Sequence, residues 1–428
     1  MRCAILPVFC KGTERQTTLT VEWLRLLGTA VDAYYNRQSG GRENLACTVF
    51  DWRQIALTTE EWSAAGFLVG RQVYEAMADE GILRREDFDH FVVLIDDVAS
   101  RSGVTPNEAP ETSLISARDT TATLVAHELG HRFNAGHSFL EGPDGPIEYG
   151  GRFCVMGAEG GKHDFLDAAL NVPPGGAMSA NARSGPGMCF ANLVATGWAA
   201  SAEHAVRLQP FANGALSTVI ELAALDGAPP LGHSGLPVAC IIELDDWYIV
   251  EYRSPKVAYD VGVPNTMSPR LGDLVLYRSP ANAPLFPLQV ATAEVFTGSI
   301  LTTGGDGSLA LSLANAIGGV PGLPLQLTVL SVDPAGKKVS LRLERRLGKP
   351  PQFERTEDIF DFLQWGIAGR DLGEQSQTGV LPMLRTLAEI HHLSRQQGLA
   401  GPRDRAALQQ ALQVRIGELE TLSRTIKL

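Results

Sequence analysis

Along residues 1–200 the apolar positions alternate between strand-like runs and helix-like stripes. Met1-Arg-Cys-Ala-Ile-Leu-Pro-Val-Phe9 is a compact apolar run and reads as an opening strand. From Thr17 to Gln38, Leu19, Trp23, Leu26, Leu27, Ala30 and Tyr34 recur at helical spacing and predict a helix. Leu45–Trp52 reads as a second strand and Glu60–Asp79 as a second helix, while Phe91-Val-Val-Leu-Ile95 suits a strand buried on both faces. Glu111–Ser116 reads as an edge strand against which an extended chain could pair. Thr120-Thr-Ala-Thr-Leu-Val-Ala126 opens a further helix, with Ala122, Val125, Leu129 and Phe133 on its apolar side. Strands alternating with helices predict an α/β domain with a mixed, mostly parallel sheet over residues 1–200. Gly150–Gly187, rich in Gly, Pro and Ala, reads as a loop-dominated lobe that completes a cleft.

Past residue 200 the texture changes. Trp247-Tyr-Ile-Val-Glu-Tyr-Arg253 and Leu274-Val-Leu-Tyr277 are strand-like. Leu325–Val332 and Val339–Arg345 alternate apolar and polar residues around Asp333-Pro-Ala-Gly336, a hairpin signature. Short strands joined by Gly/Pro turns predict a β-sandwich over residues 201–349. Gly304-Gly-Asp-Gly307 matches a fragment of a calcium-binding repeat, but a single copy reads as a turn. Residues 350–428 are helical in pattern: Leu381, Leu384, Leu387 and Ile390 form one stripe, and Leu412, Ile416, Leu419, Leu422 and Ile426 another. Asp404, Arg405 and Glu418 are among the polar residues beyond the second stripe. Such stripes must be buried against the sandwich, another copy of the chain or a partner, so partner binding or self-association is expected of this helical appendage.

The chemistry is concentrated in His127-Glu-Leu-Gly-His131-Arg-Phe-Asn-Ala-Gly-His137. With about 3.6 residues per turn, His127 and His131 project from one helix face. His137 comes later, so the helix must stop and the chain must turn back to place it. Three neutral imidazoles leave the fourth tetrahedral position open, the arrangement of a catalytic zinc site. Glu128, beside the first ligand, can reach a water on the metal and act as general base. A zinc hydrolase is therefore expected, with Zn2+ on His127, His131 and His137. Cys154-Val-Met-Gly157 follows, with Met156 in a Gly-flanked turn. Taken singly these residues have plainer readings. H-E-x-x-H occurs by chance in unrelated helices, Met156 could fill a core gap, and Glu128 could merely orient a ligand. The third histidine and the methionine turn together favour the metal site.

The pattern H-E-x-x-H-x-x-N-x-x-H followed by a Met-turn resembles the metzincin zinc metalloproteases. The family's usual glycine is here Asn134, the residue that next best tolerates positive φ at a helix end. With Gly136-His-Ser138 following, the chain is most similar to gametolysin-type and immune-inhibitor-A-type peptidases. The resemblance implies a metzincin-like catalytic domain built around the zinc helix, cleavage of a protein or peptide substrate, and Met156 as the floor of the site. Trp198, in Ala195-Thr-Gly-Trp198, resembles a landmark closing the catalytic domain in those relatives, and Glu251-Tyr-Arg253 resembles a strand downstream of it. Some members place a tyrosine two residues after the methionine; here that position is Ala158, so only the zinc is assigned to stabilise the oxyanion. Tyr149, before the turn, and His163 with Asp164, after it, are candidates for lining the substrate cleft, against a plainer reading as loop residues. The alternative function is a catalytically inactive metzincin-fold protein that binds a protein partner; retention of all three histidines and Glu128 argues against it.

Composition removes other classes. With 428 residues and 44% apolar content, the chain can bury more than one core. A net charge of −12 without Lys/Arg clusters argues against binding nucleic acid or an anionic membrane surface. No apolar run is long enough to predict a transmembrane segment. Met1–Phe9 is too short and Pro-broken for a signal peptide, and no propeptide is visible. The expectation is a cytoplasmic protein or one exported by a non-standard route, whereas the resemblance implies secretion. Cys3, Cys10, Cys47, Cys154, Cys189 and Cys240 contain no C-x-x-C pair and fit neither a dense disulfide scaffold nor a second zinc site. Cys154 and Cys189 flank the Met-turn and could bridge in an oxidising compartment or remain thiols.

Overall fold

The computed structural model describes residues 1–96, 103–142, 145–151, 153–157, 185–208, 217–230, 235–243, 246–254, 272–280, 288–294, 311–312, 324–345 and 402–425, with single positions at 257, 259, 386, 390 and 393. The chain divides into two compact units. One comprises Met1–Leu208, Val219–Gly307 and Thr328–Leu341, the other Gln209–Thr218, Ser308–Leu327 and Arg342–Leu428.

In the first unit, β1 (Arg2–Phe9) runs parallel to β2 (Ala46–Val49), β3 (Arg53–Gln54) and β4 (His90–Asp96). β5 (Gly103–Val104) and β6 (Thr112–Ser116) complete a six-stranded sheet of order β2-β1-β4-β6-β5, with β3 also on β1. Parallel strands covered on both faces must be apolar on both, which is why β1 and β4 read as unbroken apolar runs. Cys3, Ile5, Val92 and Leu94 face one core, shared with Trp23, Leu27 and Val31 of α1 (Val21–Gln38). Leu6, Val8, Phe91 and Val93 face the other, shared with Val73, Tyr74 and Met77 of a later helix.

Local chemistry moves several predicted boundaries. The Thr20 hydroxyl accepts the Trp23 N–H at 3.1 Å and starts α1 at Val21, not Thr17. The single helix expected over Glu60–Asp79 is two. A capping box between Thr58 and Glu61 starts α2 (Thr59–Ala65), and Gly66, at φ 63°, ends it before α3 (Val69–Asp79). Glu111–Ser116 is not the sheet edge: β6 lies between β4 and β5 with all its residues buried, and the antiparallel β5 is the edge. The helix that carries His127 and His131 is α4 (Ala122–Arg132).

Immediately after His137 come β7 (Phe139–Gly142) and β8 (Gly145–Ile147). Two short helices follow, α5 (Phe190–Ala195) and α6 (Ser201–His204), and then β9 (Ala205–Leu208) and β10 (Ser217–Ala223). β11 (Ala239–Glu243), β12 (Asp246–Arg253), β13 (Asp273–Pro280) and β14 (Leu288–Glu294) form antiparallel neighbours. With β7, β8 and β9 they make a seven-stranded sheet of order β8-β7-β14-β13-β12-β11-β9. Strands expected as a separate sandwich over 201–349 therefore share a sheet with the segment carrying the third histidine. Ala239, Ile241, Ile249, Val275 and Tyr277 belong to the same core as Leu129 and Met156, and no division between units falls at residue 200 or 349. Period-2 patterning identifies a strand without stating which sheet it joins.

β15 (Leu311–Ser312), β16 (Pro324–Val332) and β17 (Lys338–Arg345) complete a four-stranded sheet of order β10-β17-β16-β15. The predicted turn is present: Gly336, at φ 67°, donates its N–H to the Asp333 carbonyl at 2.7 Å. The C-terminal helix α7 (Pro402–Thr425) turns Leu412 and Ile416 half-inward and buries Leu419, following the predicted stripe. Leu381, Leu384, Leu387, Ile426 and Gly304–Gly307 lie outside the described residues. No helix among the described residues is long and apolar enough to cross a membrane.

Candidate metal centre

α4 starts where the Thr121 hydroxyl accepts the Leu124 N–H at 3.0 Å. It stops at Phe133 because Asn134 takes a left-handed φ of 69°, and Ala135 donates back to the Gly130 carbonyl at 2.9 Å. That turn reverses the chain and brings His137 back toward the helix. The Asn192 side chain holds the returning strand from both sides, accepting the Gly136 N–H at 3.1 Å and donating to the Gly136 carbonyl at 3.0 Å. Asn134→Gly is expected to leave stability nearly unchanged, and Asn134→Val to lose on the order of 1–2 kcal/mol, because a β-branched residue strains at positive φ. Equal urea midpoints for the two variants would contradict this account of the turn.

The three histidines are oriented by what binds the far side of each ring. His127 Nδ1 lies 3.0 Å from the Val155 carbonyl and His131 Nδ1 3.1 Å from the Ala135 carbonyl. His137 Nδ1 lies 2.6 Å from Glu148 Oε1. Carbonyl and carboxylate oxygens only accept, so each Nδ1 carries a proton, and a ring that is neutral then keeps its lone pair on Nε2. One ligand atom from each histidine lies within 4.8 Å of the others, and Nε2 of His131 and of His137 are 3.0 Å apart. At that distance a proton or a shared cation must lie between the two nitrogens, and either leaves both lone pairs directed at one point. Ligands of a tetrahedral zinc stand roughly 3.3 Å from one another at ordinary Zn–N lengths. Burial, with the neighbouring His131 adding to it, pushes His127 down to about 3; burial and His137 push His131 down to about 4. Both are therefore neutral at pH 7, the form that binds metal. The donor set, its tautomers and the outer acceptors all fit zinc.

Glu128 is buried, and Thr105 Oγ1 donates to its Oε2 at 2.9 Å. Met156 is fully buried beneath the helix at Gly130, where a Cβ would come within 2.4 Å of the Met156 sulfur. A side chain at Gly130 would have to displace the methionine beneath it. Gly157 closes the turn by donating to the Cys154 carbonyl at 2.9 Å. Tyr149, at φ 58°, sets its ring 4.4 Å from that of His137 and 5.7 Å from that of His127. His163, Asp164 and Ala158 lie outside the described residues. Trp198 packs its ring 5.0 Å from Phe133 at the end of the helix. Cys154 and Cys189 are adjacent thiols, with the Cys189 N–H 3.3 Å from Cys154 Sγ.

Several supporting groups escaped sequence reasoning. Glu148 and Asn192 are two. A third is the fully buried pair Glu251–Arg253 on β12, whose charged groups lie 3.3 Å apart. Arg253 donates to the carbonyls of Phe153, Gly187 (3.2 Å) and Met188 (3.0 Å), while Glu251 Oε2 accepts the Phe190 N–H at 2.8 Å. The downstream strand thereby clamps the segment leading into the Met-turn and the segment leading into α5. Within the sequence the mark of this was Glu251-Tyr-Arg253 itself, two charges directly after the apolar run Trp247–Val250.

No family model matches the chain, and no curated protein matches it. Among solved structures 19 chains match. One, described as "Structure of a chaperone-substrate complex", is 14% identical, covers 37% of this chain and 27% of its own, and superposes with a TM-score of 0.23. A likeness that slight bears on neither fold nor function, and the reading of this site rests on its own residues.

Proposed function

We propose that this chain is a zinc-dependent endopeptidase of the metzincin type. The observation that supports it most is the convergence of three imidazoles whose ligand atoms lie within 4.8 Å of one another, each with an acceptor on its Nδ1. His127, His131 and His137 hold the metal, and Met156 packs under the helix that carries two of them. Zinc bound there supplies a Lewis acid that brings the pKa of its water toward neutrality. Glu128 takes a proton from the attacking water and returns it to the leaving amine. The substrate is an extended peptide. β5, the antiparallel sheet edge, can accept one by strand addition, and Gly103 of that strand lies against the Glu128 carboxylate. Tyr149 is placed to line the same cleft. Residues 350–428 carry none of these groups and are assigned to partner binding or self-association.

The test is metal analysis paired with digestion of an unfolded protein. The wild type is expected to hold about one zinc per chain, as a three-histidine site does. His131→Ala should lose both the metal and the cleavage. Equal zinc in the two proteins would sink the assignment.

A further inference from the structure

Buried polar side chains outside the metal ligands connect into one line that ends on Glu128. His90 Nε2, at the start of β4, lies 2.8 Å from Ser113 Oγ on β6. Ser113 Oγ lies 2.8 Å from Oγ1 of Thr105, the residue after β5, and Thr105 Oγ1 lies 2.9 Å from Glu128 Oε2. His90 and Ser113 are fully buried inside the sheet. We propose that His90, Ser113 and Thr105 form a proton-ordered relay that positions the Glu128 carboxylate; the role, though not the connectivity, rests on reading Glu128 as the base.

The order follows from counting protons. Thr105 is the donor in its contacts with Glu128, to Oε2 at 2.9 Å and to the carbonyl at 3.0 Å. A hydroxyl has a single proton, so Thr105 must accept from Ser113, and Ser113 must accept from His90. The competing acceptor for Thr105, the Glu128 carbonyl at 3.0 Å, is neutral and the weaker of the two. His90 must then carry its proton on Nε2, the opposite tautomer to the metal ligands. Consistent with that, His90 Nδ1 has no hydrogen-bond partner among the described residues, as a bare lone pair allows. Burial, reinforced by the charge of Arg132, lowers His90 to about 3 and keeps it neutral. The consequence for the site is geometric. Oε2 is tethered to Thr105, Oε1 lies against Gly103, where a Cβ would come within 2.6 Å, and the carboxylate plane cannot turn freely. His90, Ser113 and Thr105 are positioning residues that act through Glu128.

The experiment compares Thr105→Val, which keeps the shape and removes the hydroxyl, with Thr105→Ser, which keeps the hydroxyl, in the zinc-loaded full-length protein. Thr105→Val should lower kcat roughly 10-fold, the size of other losses around metal sites, with KM and zinc content unchanged, and Thr105→Ser should restore it. Ser113→Ala should slow the wild type but add nothing in the Thr105→Val background, because the line is already cut. Histidine-labelled nitrogen NMR gives a readout independent of activity: His90 should be protonated on Nε2, and its resonance should shift in Thr105→Val. Equal kcat for Thr105→Val and Thr105→Ser, independent losses at residues 105 and 113, or a His90 protonated on Nδ1 would overturn the relay. A wild type that cleaves no protein while His90 behaves as described would instead remove the peptidase reading and leave the ordered line standing.

Discussion

Glu128→Gln is expected to reduce peptide-bond hydrolysis by at least ~10²-fold while zinc content and the unfolding midpoint stay at wild-type values. The amide is nearly isosteric with the carboxylate and its oxygen can still accept from Thr105, so the fold around it is kept. What the amide cannot do is take a proton. Glu128 sits buried between β5 and the helix, with no freedom to delegate that step to a mobile neighbour. The check is a pair of measurements on one preparation, digestion of an unfolded protein and metal analysis. Near wild-type cleavage by Glu128→Gln would mean that another group is the base, and the metzincin mechanism would fail here. His131→Ala differs in kind, since it removes metal and activity together.

The largest stability effect is expected far from the motif in sequence, at Arg253→Leu. The guanidinium is fully buried, lies beside Glu251 and binds main-chain carbonyls on both segments that frame the Met-turn. Removing it leaves the Glu251 charge in an apolar interior without that guanidinium, a loss of about 3–5 kcal/mol for a broken buried pair. Adding Glu251→Gln should recover part of that loss by removing the charge. Because Val155, which orients His127, lies two residues after the clamped Phe153, zinc retention should fall with stability. Urea unfolding with metal analysis of Arg253→Leu decides the matter. An unchanged midpoint would show that the clamp carries little.

The parts of the fold that were legible in the sequence are those whose constraint is local. β1 and β4 are buried on both faces, so each shows as a continuous apolar run. His127 and His131 share a face because helix geometry puts them there, and Asn134 announces a positive φ by its residue type. The break at Gly66 was hidden because apolar spacing continues through it into α3. Strand partnership was hidden for a different reason. β7 pairs with β14 across most of the first unit, and no local pattern records a neighbour that distant. The groups that hold the site share this property. Asn192 meets Gly136 at a separation of 56 residues and Arg253 meets Phe153 at 100. Glu148 is only 11 residues from His137 but is reached through a loop and hairpin with no period of their own. Ligands chosen by helix periodicity can be read from one strand of text; the residues that aim them are chosen by proximity in space.

Those aiming residues share one further property: every one of them lies C-terminal to the histidine or turn it serves. Val155 follows His127, Glu148 follows His137, Asn192 follows Gly136, and Arg253 follows Phe153. During synthesis the chain emerges in the reverse order of need. At roughly 5–20 residues per second, Arg253 leaves the ribosome on the order of ten seconds after His137. Until then the three histidines exist without the scaffold that turns their nitrogens inward. Under the proposed activity, such an enzyme stays silent beside its own unfolded chain at least until Arg253 has been made.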